Sequence, residues 1–307
     1  MTGPTNQQRP ETRCFMTADH TLAIFQNDFH PEMVGINGPT PNRLKLSAVP
    51  AKLAAMGRFA STVEFYSRYR EPYPPKFFRN VAEGIALRGH ETLLDIGCGP
   101  GLLAIGFAPF VEQCTGIDPE AAMLKAAKDA AAEAGVVLSL IHTRIEEFSA
   151  ARTFDVITIG RALHWMDRNA ALSVLERIVS DRGRILICRA SGIETPETPW
   201  MKRYNEVRRS WGSGKVEKQY RLDCKTWFAG SCFSELATSS VTESRRVTIV
   251  DLVGRALSKS NTSPAALGER RATFEAEITA VLEPFAQHGF LQEQIVASAS
   301  IFGRHTG

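Results

Sequence analysis

Leu93-Leu94-Asp95-Ile96-Gly97-Cys98-Gly99-Pro100-Gly101 is the stretch that decides the fold. An apolar run ends at an acid and breaks into glycines at alternate positions, and a helix-compatible segment, 102–108, follows at once. Glycine lets backbone and ligand approach without a Cβ between them and accepts the positive φ of a tight turn. Strand, glycine turn and helix start together form a nucleotide-sized cradle. The spacing is Gly-x-Gly-x-Gly, one residue short of the dinucleotide pattern, which leaves nothing extra to wrap a pyrophosphate.

Downstream, Thr115-Gly116-Ile117-Asp118 reads as a second strand ending in an acid. Pro119 is expected to open an alanine-rich helix that runs to about residue 134, with Gly135 at the C′ position. An acid at this strand tip can accept hydrogen bonds from both ribose hydroxyls. A Rossmann-type domain for NAD or another nucleotide satisfies the same pattern.

With two motifs at this separation, the chain resembles the class I S-adenosylmethionine-dependent methyltransferases of small-molecule type. The resemblance covers about residues 55–190 well and the remainder loosely. It implies an α/β fold: a Rossmann-like, seven-stranded, mostly parallel sheet with an antiparallel last strand, plus helical cap insertions. It implies S-adenosyl-L-methionine as cofactor. Asp95, Gly97, Cys98, Gly99 and Gly101 match the first motif, and Asp118 with Pro119 the ribose-binding motif; Met123 follows on the next helix.

The segment 141–148 (IHTRIEEF) is similar to the family's third-strand exit, which places Arg144 and Ile145 against the adenine. The family often carries Asp near Arg144. Arginine cannot accept a bond from the adenine amino group, so main-chain groups are expected to take that role. Residues 154–160 (FDVITIG) read as a fourth strand ending at Gly160, and Arg161-Ala162-Leu163-His164-Trp165-Met166-Asp167 looks like the motif after strand four in methyltransferases similar to trans-aconitate methyltransferase. Gly183-Arg184-Ile185-Leu186-Ile187-Cys188 reads as the fifth strand. In the family the seventh strand lies antiparallel between the fifth and sixth, here expected at 294–302 and 241–248.

At 307 residues with 44% hydrophobic content, the chain can bury a sizeable core. Charged residues make up 22% and balance to +3, so no electrostatic footprint for nucleic acid stands out. Arg208-Arg209, Arg245-Arg246 and Arg270-Arg271 are isolated pairs, read as solvated faces. Six cysteines (14, 98, 114, 188, 224, 232) show no CxxC spacing, which fits free thiols in a reducing cytosol, and no metal site is expected. No signal-peptide pattern and no apolar run near the ~20 residues of a membrane span is visible, so a soluble, cytoplasmic protein is expected. The expected partner is a small-molecule acceptor, without nucleic acid or membrane, and a homodimer is compatible with the sequence.

Residues 1–50, rich in Pro, Asn, Thr and Gly, read as a partly flexible extension. The core is assigned to 51–190 and 236–307. From 52 to 73 the pattern turns helical and aromatic; Tyr66 offers a face to a sulfonium and Arg70 a partner for the methionine carboxylate, while sealing of the helix onto the sheet explains the aromatics equally well. Residues 191–235, with part of 250–285, read as an aromatic-rich cap in which Trp200 and Tyr204 would wall an organic acceptor; an accessory layer with its own core fits the same composition.

A sulfonium is already an activated methyl donor, so the protein must align an acceptor lone pair and exclude water. A base is needed only if the acceptor carries a proton at neutral pH. His164, just after the fourth strand, is the candidate catalytic residue, either as base or as the group that orients the acceptor. Trp165 is expected beside it in the acceptor pocket, Arg161 is a candidate contact to an acidic acceptor as well as to the cofactor, and Asp167 reads as a helix N-cap. The Asp/Asn-Pro-Pro-Tyr motif of amine-methylating nucleic-acid enzymes is replaced by Thr158-Ile159-Gly160-Arg161. The expected activity is methyl transfer to an oxygen of a small specialised metabolite. Methylation of nitrogen or carbon, a pericyclase-like use of the cofactor, and a non-catalytic binding protein stay open.

Overall fold

The computed structural model describes residues 62–212 and 223–305. The expectations for residues 1–50, for the start of the aromatic segment 52–73 and for part of the cap assigned to 191–235 lie outside them. The strands are β1 (Thr92–Ile96), β2 (Gln113–Asp118), β3 (Ser139–His142), β4 (Phe154–Gly160), β5 (Val179–Gly192), β6 (Phe233–Thr248) and β7 (Phe290–Arg304). They form one sheet in the order β3-β2-β1-β4-β5-β7-β6. Pairings from β3 through β5 are parallel, and β7 runs antiparallel to both β5 and β6. This is the expected mixed sheet.

Successive strand residues point to opposite faces, and here both faces are covered, which is why the strands read as unbroken apolar runs. Leu94, Ile96, Ile157, Ile159, Ile185 and Ile187 pack on one side with Leu172 and Leu175 of helix α5 (Arg168–Ile178). Leu93, Val156, Leu186 and Cys188 pack on the other with Phe77 and Phe78 of α2 (Pro75–Gly84) and Phe107 of α3 (Leu102–Phe107). Each such side chain contributes about 1.5–3 kcal/mol on burial. The Asp167 side chain accepts the Ala170 amide at 3.1 Å and caps α5 as expected.

Several boundaries differ from expectation, each for a local reason. Helix α4 (Ala121–Glu133) begins after Pro119, because Asp118 Oδ1 accepts the Glu120 amide at 2.8 Å and holds 118–120 in a turn. Strand β6 begins at Phe233 and not near 241, inside the stretch assigned to the cap. It is held from Phe233↔Arg304 to Thr248↔Phe290 by pairing with β7, a long-range partner that its polar composition does not announce. Residues 264–285, whose sequence after the turn 261–264 reads as one helix, break into α9 (Pro264–Leu267) and α10 (Arg271–Leu282) at Gly268, whose φ is +54°.

Beside the sheet, α6 (Trp200–Trp211), α8 (Ile249–Leu257) and α10 share a third apolar cluster that contains Trp200, Tyr204, Leu252, Ala256, Phe274 and Ile278. Helix α1 (Val63–Tyr69) packs on α8, and the short α7 (Cys224–Phe228) lies against β6. The five described cysteines are free. Among the described residues no helix is long and apolar enough to cross a membrane.

Candidate active site

The strand order reverses between β1 and β4, and a crevice opens at the carboxyl ends of the strands at such a reversal. The loop after β1 is shaped by Gly97, Gly99 and Gly101, with φ of +65°, +54° and +83°. At Gly97 no other residue fits, since a Cβ would lie 2.5 Å from Ala162 Cβ. The amides of Gly97 and Cys98 both donate to the Ile117 carbonyl, at 2.8 and 3.0 Å, which locks this loop onto β2. Asp95 is buried and accepts from Thr158 Oγ1 at 2.8 Å and from the Ala104 amide at 3.3 Å; burial pushes its carboxyl up to about 7 against those bonds.

Asp118 closes the other side of the crevice. Its Oδ2 accepts the Gly99 amide at 2.9 Å and its Oδ1 the Glu120 amide at 2.8 Å, so each oxygen keeps a lone pair for a ligand hydroxyl. Burial raises its pKa, and the two amide bonds act in the opposite sense. Between these walls lies a cavity of about 570 Å³, within the roughly 300–1,000 Å³ typical of small-molecule sites. Its end at the tips of β2 and β3 is bordered by Asp118, Pro119, Met123, Arg144 and Ile145, together with Gly97 and Gly99 of the loop. Arg144 Nε sits 3.3 Å from Glu146 Oε2, while Glu146 Oε1 accepts the Asp167 amide at 2.7 Å. That pair ties the β3 exit to the loop after β4.

The opposite end is bordered by Tyr66, Arg70, Gly160, Arg161, His164 and Trp165. Arg70 stacks over the Tyr66 ring at 4.4 Å and donates to the Ser258 carbonyl at 3.2 Å. Arg161, a non-glycine residue at φ +59°, donates to the carbonyls of Glu71 at 2.7 Å and Ala190 at 3.2 Å and lies over Tyr73. Strain at a residue of this kind persists where neighbours over-determine it, as those two bonds do here. The rings of His164 and Trp165 lie 4.9 Å apart. Burial first, then the positive charges of Arg70 and Arg189, hold the His164 imidazolium down at about 4, so the ring is neutral at pH 7.

The structure therefore gathers most of the expected residues around one cavity but corrects others. Asp95, Cys98 and Gly101 are not in the lining of this cavity: Asp95 and Cys98 border a hollow of about 20 Å³ that shares Tyr66, Gly97, Gly160 and Arg161 with it, and Gly101 is buried at the start of α3. Trp200 and Tyr204 do not line the cavity. Trp200 Nε1 donates to the Gln292 carbonyl at 2.7 Å and Tyr204 Oη to the Leu252 carbonyl at 3.0 Å, and both rings are buried in the third apolar cluster. The number of cap aromatics thus says nothing about the size of an acceptor. Arg208, read from its neighbour as part of a solvated pair, faces the cavity from α6, and Lys259 and Arg189 join it. No spacing signal marks these three, because they reach the site from distant elements.

Residues 94–187 match the model of a methyltransferase domain family. The chain is 32% identical over 107 residues to the uncharacterized methyltransferase YcgJ of Bacillus subtilis (strain 168), across 33% of this chain and 41% of that protein. It is 32% identical over 113 residues to a ubiquinone biosynthesis O-methyltransferase of Rhodopseudomonas palustris (strain TIE-1), across 36% and 44%. The matched part spans less than half the length of these curated relatives. In three dimensions the chain is similar to a protein of Anaeromyxobacter dehalogenans described as a candidate type II methyltransferase, with a TM-score of 0.58 and 21% identity over 77% of this chain and 98% of that one. That likeness concerns the fold.

Proposed function

We infer, from the match of residues 94–187 to the model of a methyltransferase domain family, that this chain is an S-adenosylmethionine-dependent methyltransferase, and we propose that it methylates an oxygen of a small organic acceptor. The observation that carries the cofactor assignment is the pair of amide bonds to Asp118, which leave one acceptor site on each oxygen, facing the cavity beside a loop too tight for any Cβ at Gly97. Asp118 would hold the ribose hydroxyls, Ile145 with Met123 would pack on the adenine, and Tyr66 with Arg70 would meet the amino-acid tail. When bound, the cofactor supplies a methyl group already activated on sulfur.

The chain's remaining work is alignment and exclusion of water. The loop 161–166 and the cap enclose the far end of the cavity. His164 is positioned to orient the acceptor: a group with a pKa near 4 is a weak base, and an acceptor that is already anionic needs none. The O-methyltransferase name of one relative supports oxygen as the target.

Incubation of the protein with methyl-labelled S-adenosylmethionine and a panel of small hydroxy and carboxylic acids, read by product mass, tests the proposal. Label on acceptor oxygen with matching release of S-adenosylhomocysteine is expected. Label on nitrogen or carbon would overturn the oxygen assignment, and cofactor binding without turnover across the panel would overturn the enzymatic one.

A further inference from the structure

The cavity is divided by charge. Asp118, Glu120 and the Arg144–Glu146 pair stand at the end beside β2 and β3, whereas Arg161, Arg208 and Lys259 converge at the other from the loop after β4, from α6 and from the turn after α8. The buried Glu71 carboxylate is set among them, 3.1 and 3.2 Å from Lys259 Nζ and 3.9 Å from Arg161 Nη2. It offsets one of these three positive charges. Arg208 donates to Asn205 Oδ1 at 3.2 Å, and its buried Nε has no hydrogen-bond partner among the described residues.

Such an excess of partly desolvated positive charge is costly without a counter-ion. The methyl donor's single carboxylate is assigned to Arg70, and its sulfonium and ammonium outnumber it, so a bound donor adds net positive charge to the same cavity. Burial and the guanidiniums of Arg70, Arg208 and Arg161 already hold the Lys259 ammonium well below its ordinary range, with Glu71 acting the other way.

We propose that this end of the cavity is an oxyanion subsite in which Arg208 and Lys259 grip a carboxylate or phosphate group of the acceptor. The name acceptor rests on the methyltransferase reading; the anion site itself does not. A guanidinium offers a planar fork and an ammonium a point charge, a combination suited to two oxygens of one anionic group. An anion held here also lies in the field of the sulfonium, which favours its approach to the methyl group.

Calorimetry on the full chain saturated with S-adenosylhomocysteine, at low ionic strength, tests this with citrate, inorganic phosphate and trimethyl citrate as probes. At least one anion is expected to bind with a Kd below about 1 mM, with trimethyl citrate silent. Tighter binding of citrate assigns a carboxylate, tighter binding of phosphate a phosphoryl group. Arg208→Gln is expected to weaken the anion at least ~10-fold with the affinity for S-adenosylhomocysteine unchanged. Absence of heat from both anions, equal binding of trimethyl citrate, or an unchanged anion affinity in Arg208→Gln would overturn the subsite. If Arg208→Gln fails to fold, the contrast between citrate and its neutral ester on the unaltered protein decides alone. Failure of the unaltered protein to bind S-adenosylhomocysteine would strike the methyltransferase reading, and the anion titration of the unloaded protein would still judge the subsite.

Discussion

The Gly99 amide donates to Asp118 Oδ2 at 2.9 Å, so the glycine loop after β1 and the acidic tip of β2 form one rigid unit before any ligand arrives. The same carboxylate that would bind a ribose also positions the glycine loop beside it. Preorganisation of this kind reduces the ordering cost of binding.

Asp118→Ala is expected to weaken S-adenosylmethionine at least ~100-fold by calorimetry, since hydrogen bonds to a charged group are worth about 1.5–3 kcal/mol each and two are lost. Asp118→Asn should do nearly as badly. One carboxamide end is a donor, and it would face either the Gly99 or the Glu120 amide, both donors themselves. An Asn variant with unaltered affinity would remove Asp118 from the cofactor site.

His164 should remain neutral throughout the physiological range. Its pKa lies near 4 in the folded chain and near ~6.5 unfolded. The unfolded chain therefore takes up the proton first on acidification. The stabilising contribution is fully present above pH ~6.5 and is lost as pH falls toward 4. NMR titration of the His164 ring should show no transition between about pH 5.5 and 8. His164→Gln should lower kcat without moving a kinetic limb near 6.5; loss of such a limb in the variant would make His164 the base.

How much of this was legible beforehand varies with the range of the interactions. Strand β4 was expected over 154–160 and found there, because its apolar run and its flanking turns are local. The same holds for the Asp167 cap and the two glycine-acid motifs. Strand β6 starts eight residues before its sequence pattern indicates, since Thr238, Ser239 and Ser240 become strand only by pairing with Ser300, Ala299 and Ser298 some 60 positions away. Side-chain direction was the other blind spot. Composition located Trp200, Tyr204 and Arg208 on one helix, but only the packing of α6 against α8 and α10 turns the aromatics into the core and the arginine toward the cavity.

Gly106 on α3 separates local propensity from tertiary packing. Alanine is the better helix former by about 1 kcal/mol. Yet a Cβ at this position would lie 2.0 to 2.5 Å from ring carbons of Phe78, whose ring also packs edge-on against Phe107 at 5.0 Å. Overpacking of this kind costs about 1–3 kcal/mol, so the clash outweighs propensity. Gly106→Ala should lower the denaturation midpoint; a gain in stability would mean that α2 and α3 are more loosely packed than the contacts indicate.

Glu71 connects stability to the charge of the site. Its neighbours Lys259, Arg255, Arg161 and Arg70 hold its carboxyl well below the usual range, against the effect of burial. Glu71→Gln would leave Lys259 and Arg161 without their shared anion, and breaking one side of a buried pair costs about 3–5 kcal/mol. Because the folded pKa is depressed, the contribution of Glu71 is present above the ordinary carboxylate pKa and is lost on acidification below it. The gap in unfolding free energy between the unaltered protein and Glu71→Gln should accordingly be widest near neutrality and narrow toward acid. Added citrate or phosphate should narrow it too, by replacing the missing negative charge between Lys259 and Arg161. A gap that ignores both pH and anion would mean that Glu71 is held by packing alone.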